Sequence, residues 1–219
     1  MTTKEIAIAY CQAVNTYDES AIEKMVDENY IQHNPFVPTG RAAFISLLPK
    51  LREHGSKIQN FRMFQDGAYI VMHHLWTNAR PFGADEMVAF HILRIDHRGL
   101  IAEHWNAMTD ATLRSRTSLI GGQTEIRDLE KTEMNRSKIV DLFSENRRNE
   151  KLDIDIQRQH RVFAEGNFVL SISEAIANGI HSACYDLFRI ENGFIAEQWN
   201  VYQKIPKENL ANSNTMFNF

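Results

Sequence analysis

The stretch GLIAEHWN, at residues 99–106, decides the fold because GFIAEQWN, at residues 193–200, repeats six of its eight positions. The similarity continues upstream in the same order: LRID (93–96) and FRIE (188–191), RMFQDG (62–67) and RVFAEG (161–166). Similar segments in a fixed order indicate an internal duplication rather than a recurring local turn. The chain therefore contains two copies of one structural unit.

The first copy changes from helical to strand periodicity along its length. Apolar residues at helical spacing predict helices at about residues 3–15, 18–26 and 41–53. Alternating apolar residues predict four antiparallel strands at 58–65, 69–77, 87–95 and 100–108. Asp66-Gly67 is a hairpin turn signal, and Pro35 makes the preceding residues extended. This pattern predicts an α+β layout with the helices packed on one face of the sheet.

The second copy begins late. It has one predicted helix, at 135–146, and four predicted strands, at 154–163, 168–176, 181–190 and 194–202. Nothing in its sequence corresponds to the first two helices. The sequence thus predicts a complete domain at 1–119, a linker at 120–134, a truncated second domain at 135–205, and a polar, loose tail at 206–219.

Composition excludes several classes of protein. Of 219 residues, 43% are hydrophobic and 24% are charged, with a net charge of −4, as in ordinary globular proteins. The basic residues are scattered, so we expect no nucleic-acid partner. No apolar run is long enough to span a bilayer, so we expect no membrane partner and a cytoplasmic location. Cys11 and Cys184 lack disulfide or metal-ligand spacing, and we expect both to be buried.

Particular motifs resemble a known family. YIQHNP at 30–35, Gly40-Arg41, LRI at 93–95 and AEHW at 102–105 resemble the SnoaL-like branch of the nuclear transport factor 2-like superfamily. The second copy resembles the C-terminal half of the same domain through 185–203. The resemblance implies a cystatin-like, nuclear transport factor 2-like cone, in tandem, in which a bent antiparallel sheet wraps around helices.

The resemblance also implies a range of functions. Such cones enclose an apolar pocket and often dimerise through the outer faces of their sheets. Polyketide cyclase-like members use a pocket Asp or His for aldol-type ring closure without a metal or cofactor, whereas other relatives are isomerases, dehydratases or proteins that only bind. A small, largely apolar ligand with a carbonyl or hydroxyl group is the partner we expect.

Proton abstraction beside a carbonyl needs a base and a donor to the developing oxyanion. We expect His91 or His104 as the base and Asn106 as the donor. The set of expected ligand-binding residues is His33, Phe36, Arg41, His73 and Trp76. Family members usually carry Asp where this chain has His91 and Asn106, so an inactive site with structural histidines is the alternative. A zinc site is disfavoured because the histidines lie on different strands.

The second copy has lost site histidines of the first. Gln198 stands where the first copy has His104. We expect its sheet to pack on the first sheet as an internal partner, forming an intrachain pseudo-dimer, with a homodimer as a further possibility. Trp105 and Trp199, shared by both copies, are expected to be structural. The shared Glu103 and Glu197 are expected to form cross-strand ion pairs with the arginines of the neighbouring strands.

Overall fold

A computed structural model describes residues 1–113, 115–145, 148–149 and 154–219. The first three helices are α1 (Thr3–Thr16), α2 (Glu19–Met25) and α3 (Arg41–His54). Thr2 begins α1 with a reciprocal capping box to Glu5, and Asp18 caps α2 by accepting from Ala21 N–H. Pro49 lies inside α3, which continues to His54. The sequence prediction of three helices is confirmed.

The first sheet has five strands. They are β1 (Val26–Gln32), β2 (Lys57–Asp66), β3 (Tyr69–Thr77), β4 (Glu86–Ile95) and β5 (Ile101–Asp110), in the order β1-β5-β4-β3-β2. β2 to β5 form the predicted antiparallel meander, and β1 joins β5 in parallel at the edge. Register shifts interrupt β2 at Asn60 and the β4–β5 pairing at Arg94, and such bulges bend a sheet.

One face of this sheet, called the concave face below, packs against the three helices. Tyr10 and Val14 of α1 and Leu48 of α3 are buried in the same core as Ile70 and Met72 of β3. Side chains alternate along a strand, so the neighbours of these residues face the other way. The sheet therefore has a helix-covered face and an outer face.

The second sheet repeats the four-stranded antiparallel meander of the first, but its fifth strand lies at the opposite edge, and it has fewer helices. After the short helix α4 (Arg116–Ile120) come α5 (Thr132–Glu145), β6 (Arg148–Asn149), β7 (Ile154–Glu165), β8 (Phe168–Ala177), β9 (Ile180–Glu191) and β10 (Phe194–Lys204). The strand order is β10-β9-β8-β7-β6, and all the pairs are antiparallel. The α+β fold class, with two sheets in tandem, is thus confirmed.

The two sheets share one hydrophobic core between them. Its largest members are Phe64, Phe90 and Trp105 from the first sheet, and Phe163, Phe168, Tyr185 and Trp199 from the second. The Arg62 guanidinium lies 3.6 Å from the Trp199 ring centroid. Aromatic side chains bury the most apolar area per residue, so this core contributes strongly to holding the sheets together.

The predicted ion pairs are present on equivalent strands. Arg94 Nε donates to Glu103 Oε1 at 2.6 Å, and Arg189 pairs with Glu197 in the second sheet. Cys11 and Cys184 are free and buried, as expected. In the part of the chain that the structure describes, no helix is both long and apolar enough to cross a membrane.

The prediction of a loose tail is wrong. Met216 is buried, and the Phe219 ring stacks on Trp105 with centroids 4.8 Å apart. Trp105 Nε1–H donates to the Asn218 carbonyl at 3.1 Å. The tail is ordered because its few apolar side chains complete the core and because its asparagines bond backbone groups of the first repeat, as Asn212 does.

Candidate functional site

Three histidines meet on the concave face. His74, His91 and His104 come from β3, β4 and β5 and are at most 4% exposed. The His74 and His91 ring centroids are 4.2 Å apart, and those of His91 and His104 are 4.5 Å apart. Asn106 pairs directly with His91 across β4 and β5. His91, His104 and Asn106, the expected base candidates and donor, therefore lie close together on this face with His74 as a further member, and their catalytic roles stay a prediction.

A chain of hydrogen bonds fixes the proton positions. Gln32 Oε1 accepts from Asn34 N–H at 2.8 Å, so its Nε2 faces the Tyr30 hydroxyl and His104 Nδ1, each at 3.1 Å. The Tyr30 hydroxyl lies 2.7 Å from His104 Nδ1. Because its neighbours are donors, His104 Nδ1 accepts, and neutral His104 carries its proton on Nε2.

The same logic continues to His91. His104 Nε2 is 2.9 Å from His91 Nδ1, so it donates and His91 Nδ1 accepts. Neutral His91 then carries its proton on Nε2, which has no hydrogen-bond partner among the described residues. The series of hydrogen bonds therefore runs from Tyr30 to His104 to His91 and ends in an N–H donor that no described residue accepts from.

Burial keeps these groups neutral. Loss of hydration lowers the pKa of His74 and of His104 to about 3, and it lowers the pKa of His91 well below its usual value, with neighbouring His74 adding to the effect. Burial also raises the pKa of Tyr30 well above 10, so the phenol stays protonated. The direction of the hydrogen-bond chain is consequently fixed.

Other polar atoms on this face also lack partners. Both nitrogens of His74, Trp76 Nε1 and Asn106 Oδ1 are buried without a hydrogen bond within the described ranges. A buried polar group without a partner costs about 1–3 kcal/mol. Several such groups close together lower the stability of the fold. A ligand with complementary polar atoms would form the missing hydrogen bonds.

A cavity of about 530 Å³ lies next to this cluster. Its apolar lining residues are Phe36, Val37, Pro38, Ala43, Leu47, Pro81, Phe82, Met87 and Met108; the polar ones are Asn34, Ser46, Lys50 and Gln203. Met108 and Asn106 are successive residues of one strand face, so the polar cluster begins roughly 7 Å beyond Met108. Met87 and Met108 belong to the cavity lining, whereas His74, His91 and His104 are not among its residues.

Residues 7–104 match the sequence profile of the SnoaL-like domain. This segment is a SnoaL-like domain. The second repeat lies outside the matched residues, and the chain matches no curated protein.

Three solved structures resemble part of the chain. A nuclear transport factor 2-like protein from Cytophaga hutchinsonii is 17% identical over 52% of this chain and 95% of that one, with a TM-score of 0.43. A SnoaL-like polyketide cyclase from Agrobacterium tumefaciens is 12% identical over 52% and 95%, with a TM-score of 0.42. A protein with a cystatin-like fold from Silicibacter pomeroyi is 16% identical over 49% and 75%, with a TM-score of 0.40.

One of the expected ligand-binding residues lines the cavity of the SnoaL-like domain, and a second packs against a lining residue. Phe36 belongs to its lining and is 58% exposed. Trp76 lies on the concave face, with its ring centroid 5.0 Å from that of Phe82 in the lining and 6.1 Å from that of His74. Trp76 therefore lies between the cavity wall and the histidines.

The other three lie elsewhere. His33 stacks on Trp105 at 4.3 Å and bonds Glu103 Oε2 at 2.9 Å. The Arg41 guanidinium donates to two backbone carbonyls where α2 ends and β1 begins, and these hydrogen bonds stabilise that junction. His73 lies on the outer face, where its ring stacks on Phe90 at 4.4 Å. These three positions are structural contacts outside the cavity lining.

Sequence reasoning missed His74 as a site residue. The signal was available, because Trp76 was expected to face the ligand and His74 is two residues away on the same strand face. His73 and Trp76 cannot share a face of a regular strand. Tyr30, Gln32 and Gln203 were missed for a different reason, since only the tertiary packing brings them to this region.

No cluster of three or more His, Cys, Asp or Glu side chains in the described part of the chain has an arrangement suited to a metal ion. His104 has both nitrogens in hydrogen bonds, and His91 has one. Chemically, the arrangement offers a neutral N–H donor on His91 beside the His74 ring.

Proposed function

We propose that the SnoaL-like domain binds a small, largely apolar molecule whose carbonyl oxygen accepts a hydrogen bond from His91 Nε2–H. The observation that carries this proposal is the series of hydrogen bonds from Tyr30 through His104 to His91, which ends in a buried donor with no partner in the described part of the protein. The apolar lining of the adjoining cavity supports an apolar body for the ligand. In this proposal Met87 and Met108, which line the cavity, change rotamer to admit the carbonyl, as unbranched side chains do readily.

In this proposal the chemistry is proton transfer beside the carbonyl, without a cofactor. His91 stabilises the developing enolate oxygen, and His104 positions His91 through its Nε2–H. The His74 ring is the nearest group that can accept a proton from carbon. Its pKa of about 3 makes it a weak base, so the expected reactions are those of activated substrates, such as isomerisation, aldol cyclisation or dehydration.

A second candidate is a non-catalytic binding or assembly module, in which the second repeat serves as an internal partner. The specific observation in its favour is that the cavity lining stops at Met87 and Met108, before His74 and His91. The core shared by the two sheets supports the internal partner. In this case the histidines only bind the ligand or fill the space between the sheet and the helices, and they take no part in a reaction.

Binding can be tested with a matched pair of probes. 2-Acetylnaphthalene carries a ketone, and 2-isopropenylnaphthalene replaces its C=O by C=CH2 with nearly the same shape. A hydrogen bond is worth about 0.5–1.5 kcal/mol, so His91→Phe should weaken ketone binding about 3- to 10-fold in equilibrium dialysis. Binding of the alkene should change less than about twofold, because it makes no hydrogen bond.

His97→Phe is the matched control, since His97 is exposed in the β4–β5 turn. It should leave the affinity for both probes unchanged. Equal loss of both probes in His91→Phe would contradict a hydrogen bond to the ketone. Failure of the wild-type protein to bind either probe would overturn the proposed function.

Catalysis is tested separately by exchange of the acetyl methyl protons in D2O, followed by NMR with a chelator present. Enzymatic enolisation predicts that the protein accelerates this exchange and that His91→Phe or His74→Leu removes the acceleration. Ketone binding without any acceleration would favour the non-catalytic candidate.

A further inference from the structure

Gln203 connects the second repeat to the cavity of the first. It is the penultimate residue of β10, is 8% exposed, and belongs to the cavity lining. It shares a strand face with Trp199 and Val201, which are buried in the core between the sheets. The shared core therefore places a residue of the second repeat beside Asn34 and Met108.

The orientation of the Gln203 amide follows from its neighbours. Oε1 accepts from Met108 N–H at 3.0 Å and from Asn34 Nδ2 at 3.4 Å. Both neighbours are donors, so the reversed amide would set donor against donor. Nε2 is then left buried, without a hydrogen-bond partner in the described part of the chain.

The surrounding loop is held in place from the C-terminal side. Asn212 Nδ2 donates to the carbonyls of Asn34 and Val37, at 2.8 and 2.7 Å. Asn214 Nδ2 donates to the Gln32 carbonyl at 2.9 Å. These bonds fix the cavity rim, and with it the Asn34 amide that helps to orient Gln203.

We propose that the second repeat completes the ligand site, with Gln203 Nε2 as a second hydrogen-bond donor to the bound molecule. This inference rests on the proposed function and sharpens its ligand class. Asn106, which pairs with His91, is two residues from Met108, whose N–H bonds Gln203 Oε1, so the strand positions beside the two donors are roughly 7 Å apart. The ligand is therefore a molecule with two acceptor oxygens at about that spacing, one deep and one at the rim.

The test uses 1,4-diacetylbenzene, which has two ketones, and 4-isopropenylacetophenone, in which C=CH2 replaces one C=O. If both donors are used, wild-type protein should bind the diketone about 3- to 10-fold more tightly than the monoketone. Gln203→Met should reduce that ratio to within about twofold, since only His91 remains to bind a ketone. His91→Phe should reduce it equally.

Two further variants separate loss of the donor from loss of structure. Gln203→Glu keeps an acceptor for Met108 N–H but loses the donor, and it should reduce the ratio as Gln203→Met does. Gln198→Met makes the same chemical change on the same strand, but Gln198 donates to Asp186 and lies outside the cavity. It should leave the ratio unchanged.

The outcomes distinguish the two proposals. A wild-type preference for the diketone that survives both Gln203 substitutions would overturn this inference while leaving the proposed function intact. The same holds if wild-type protein shows no preference but loses ketone binding in His91→Phe. Absence of binding of either probe to wild-type protein would overturn both.

Discussion

The concave face of the first sheet and the corresponding face of the second sheet carry different polar groups on the same scaffold. Asp186 occupies the place of His91, and Gln198 that of His104. In the second sheet both Gln198 Nε2 and the Tyr202 hydroxyl donate to Asp186 Oδ1, at 3.2 and 3.1 Å. The carboxyl group is thus held by its own neighbours, whereas the histidine hydrogen-bond chain of the first sheet ends in a donor that has no partner among the residues that the structure describes.

This difference teaches that a buried polar residue alone does not indicate a site. The first face is covered by three helices and adjoins a cavity, while α5 packs on one end of the second face, against Val169 and Phe188. A polar cluster that satisfies itself supports the fold. One that leaves atoms unpartnered beside a cavity has the potential to bind.

The largest expected effect concerns the tryptophans that the repeats share. Trp105→Ala and Trp199→Ala each remove a buried indole from the core between the sheets. Each should lower the free energy of unfolding by about 3–5 kcal/mol, measured by urea denaturation. A loss below about 1 kcal/mol for either would contradict equal structural roles.

A second measurement separates the two tryptophans. Trp105 also stacks on Phe219 and donates to the Asn218 carbonyl, whereas Trp199 donates to the Gly121 carbonyl. Limited proteolysis of the folded variants should therefore cleave the tail faster in Trp105→Ala than in Trp199→Ala. Equal tail cleavage would mean that Trp105 does not hold the tail.

The next effect concerns the Asp186 carboxyl and pH. Burial raises the pKa of Asp186 from 3.8 to about 6, so the folded state retains a proton that the unfolded state loses between those values. The contribution of the Asp186 carboxyl to the free energy of unfolding is therefore present below about pH 4 and is lost as the pH rises through 6. Asp186→Asn should therefore stabilise the protein above pH 6 by up to about 3 kcal/mol, with no gain at pH 4.

The histidines of the first sheet should respond in the opposite direction. Burial lowers the pKa of His74 from 6.5 to about 3. The contribution of neutral His74 to the free energy of unfolding is therefore present above pH 6.5 and is lost as the pH falls towards 3. His74→Leu should consequently weaken the acid sensitivity of unfolding without changing the alkaline side. Identical pH profiles for the Asp186 and His74 variants would remove this contrast between the faces.

The smallest effect concerns the equivalent ion pairs. Arg94→Met and Arg189→Met each break a cross-strand pair with Glu103 or Glu197, and partly exposed pairs contribute roughly 0.2–1 kcal/mol. Arg189→Met should lower the stability more than Arg94→Met, because the Arg189 side chain is 11% exposed and the Arg94 side chain is 31% exposed. Thermal unfolding of both variants at low and high salt measures this, and a larger loss for Arg94 would reverse the ranking.

Much of the fold could be predicted from the sequence, since local signals determined it. The duplicated motif indicated two sheets, and the Asp66-Gly67 turn marked a hairpin that is present between β2 and β3. Strand alternation predicts on which face of its strand each of His91 and His104 lies. Apart from the comparison of the two copies, these features depend only on residues near one another in the chain.

The remainder depended on contacts distant in sequence. Gln203 reaches the cavity only because the sheets pack face to face, and the tail is ordered only because Trp105 is there to receive it. His33 and Arg41 belong to a motif that resembles a family pocket, yet neither side chain is part of the cavity lining. Sequence periodicity indicates on which face of a helix or strand a residue lies, but it does not indicate which other segment of the protein packs against that face.

The contacts of Gln203 and the tail with the first repeat also have a consequence for biosynthesis. Residues 1–119 are translated before Gln203, Asn212 and Asn214 exist, and at roughly 5–20 residues per second the remaining 100 residues take about 5–20 s. During that interval the nascent first sheet exposes its apolar outer face and has an unfinished rim. The lining of the cavity is therefore assembled only when β10 and residues 206–219 have left the ribosome, and release before that point would yield a first repeat without Gln203 in its cavity lining.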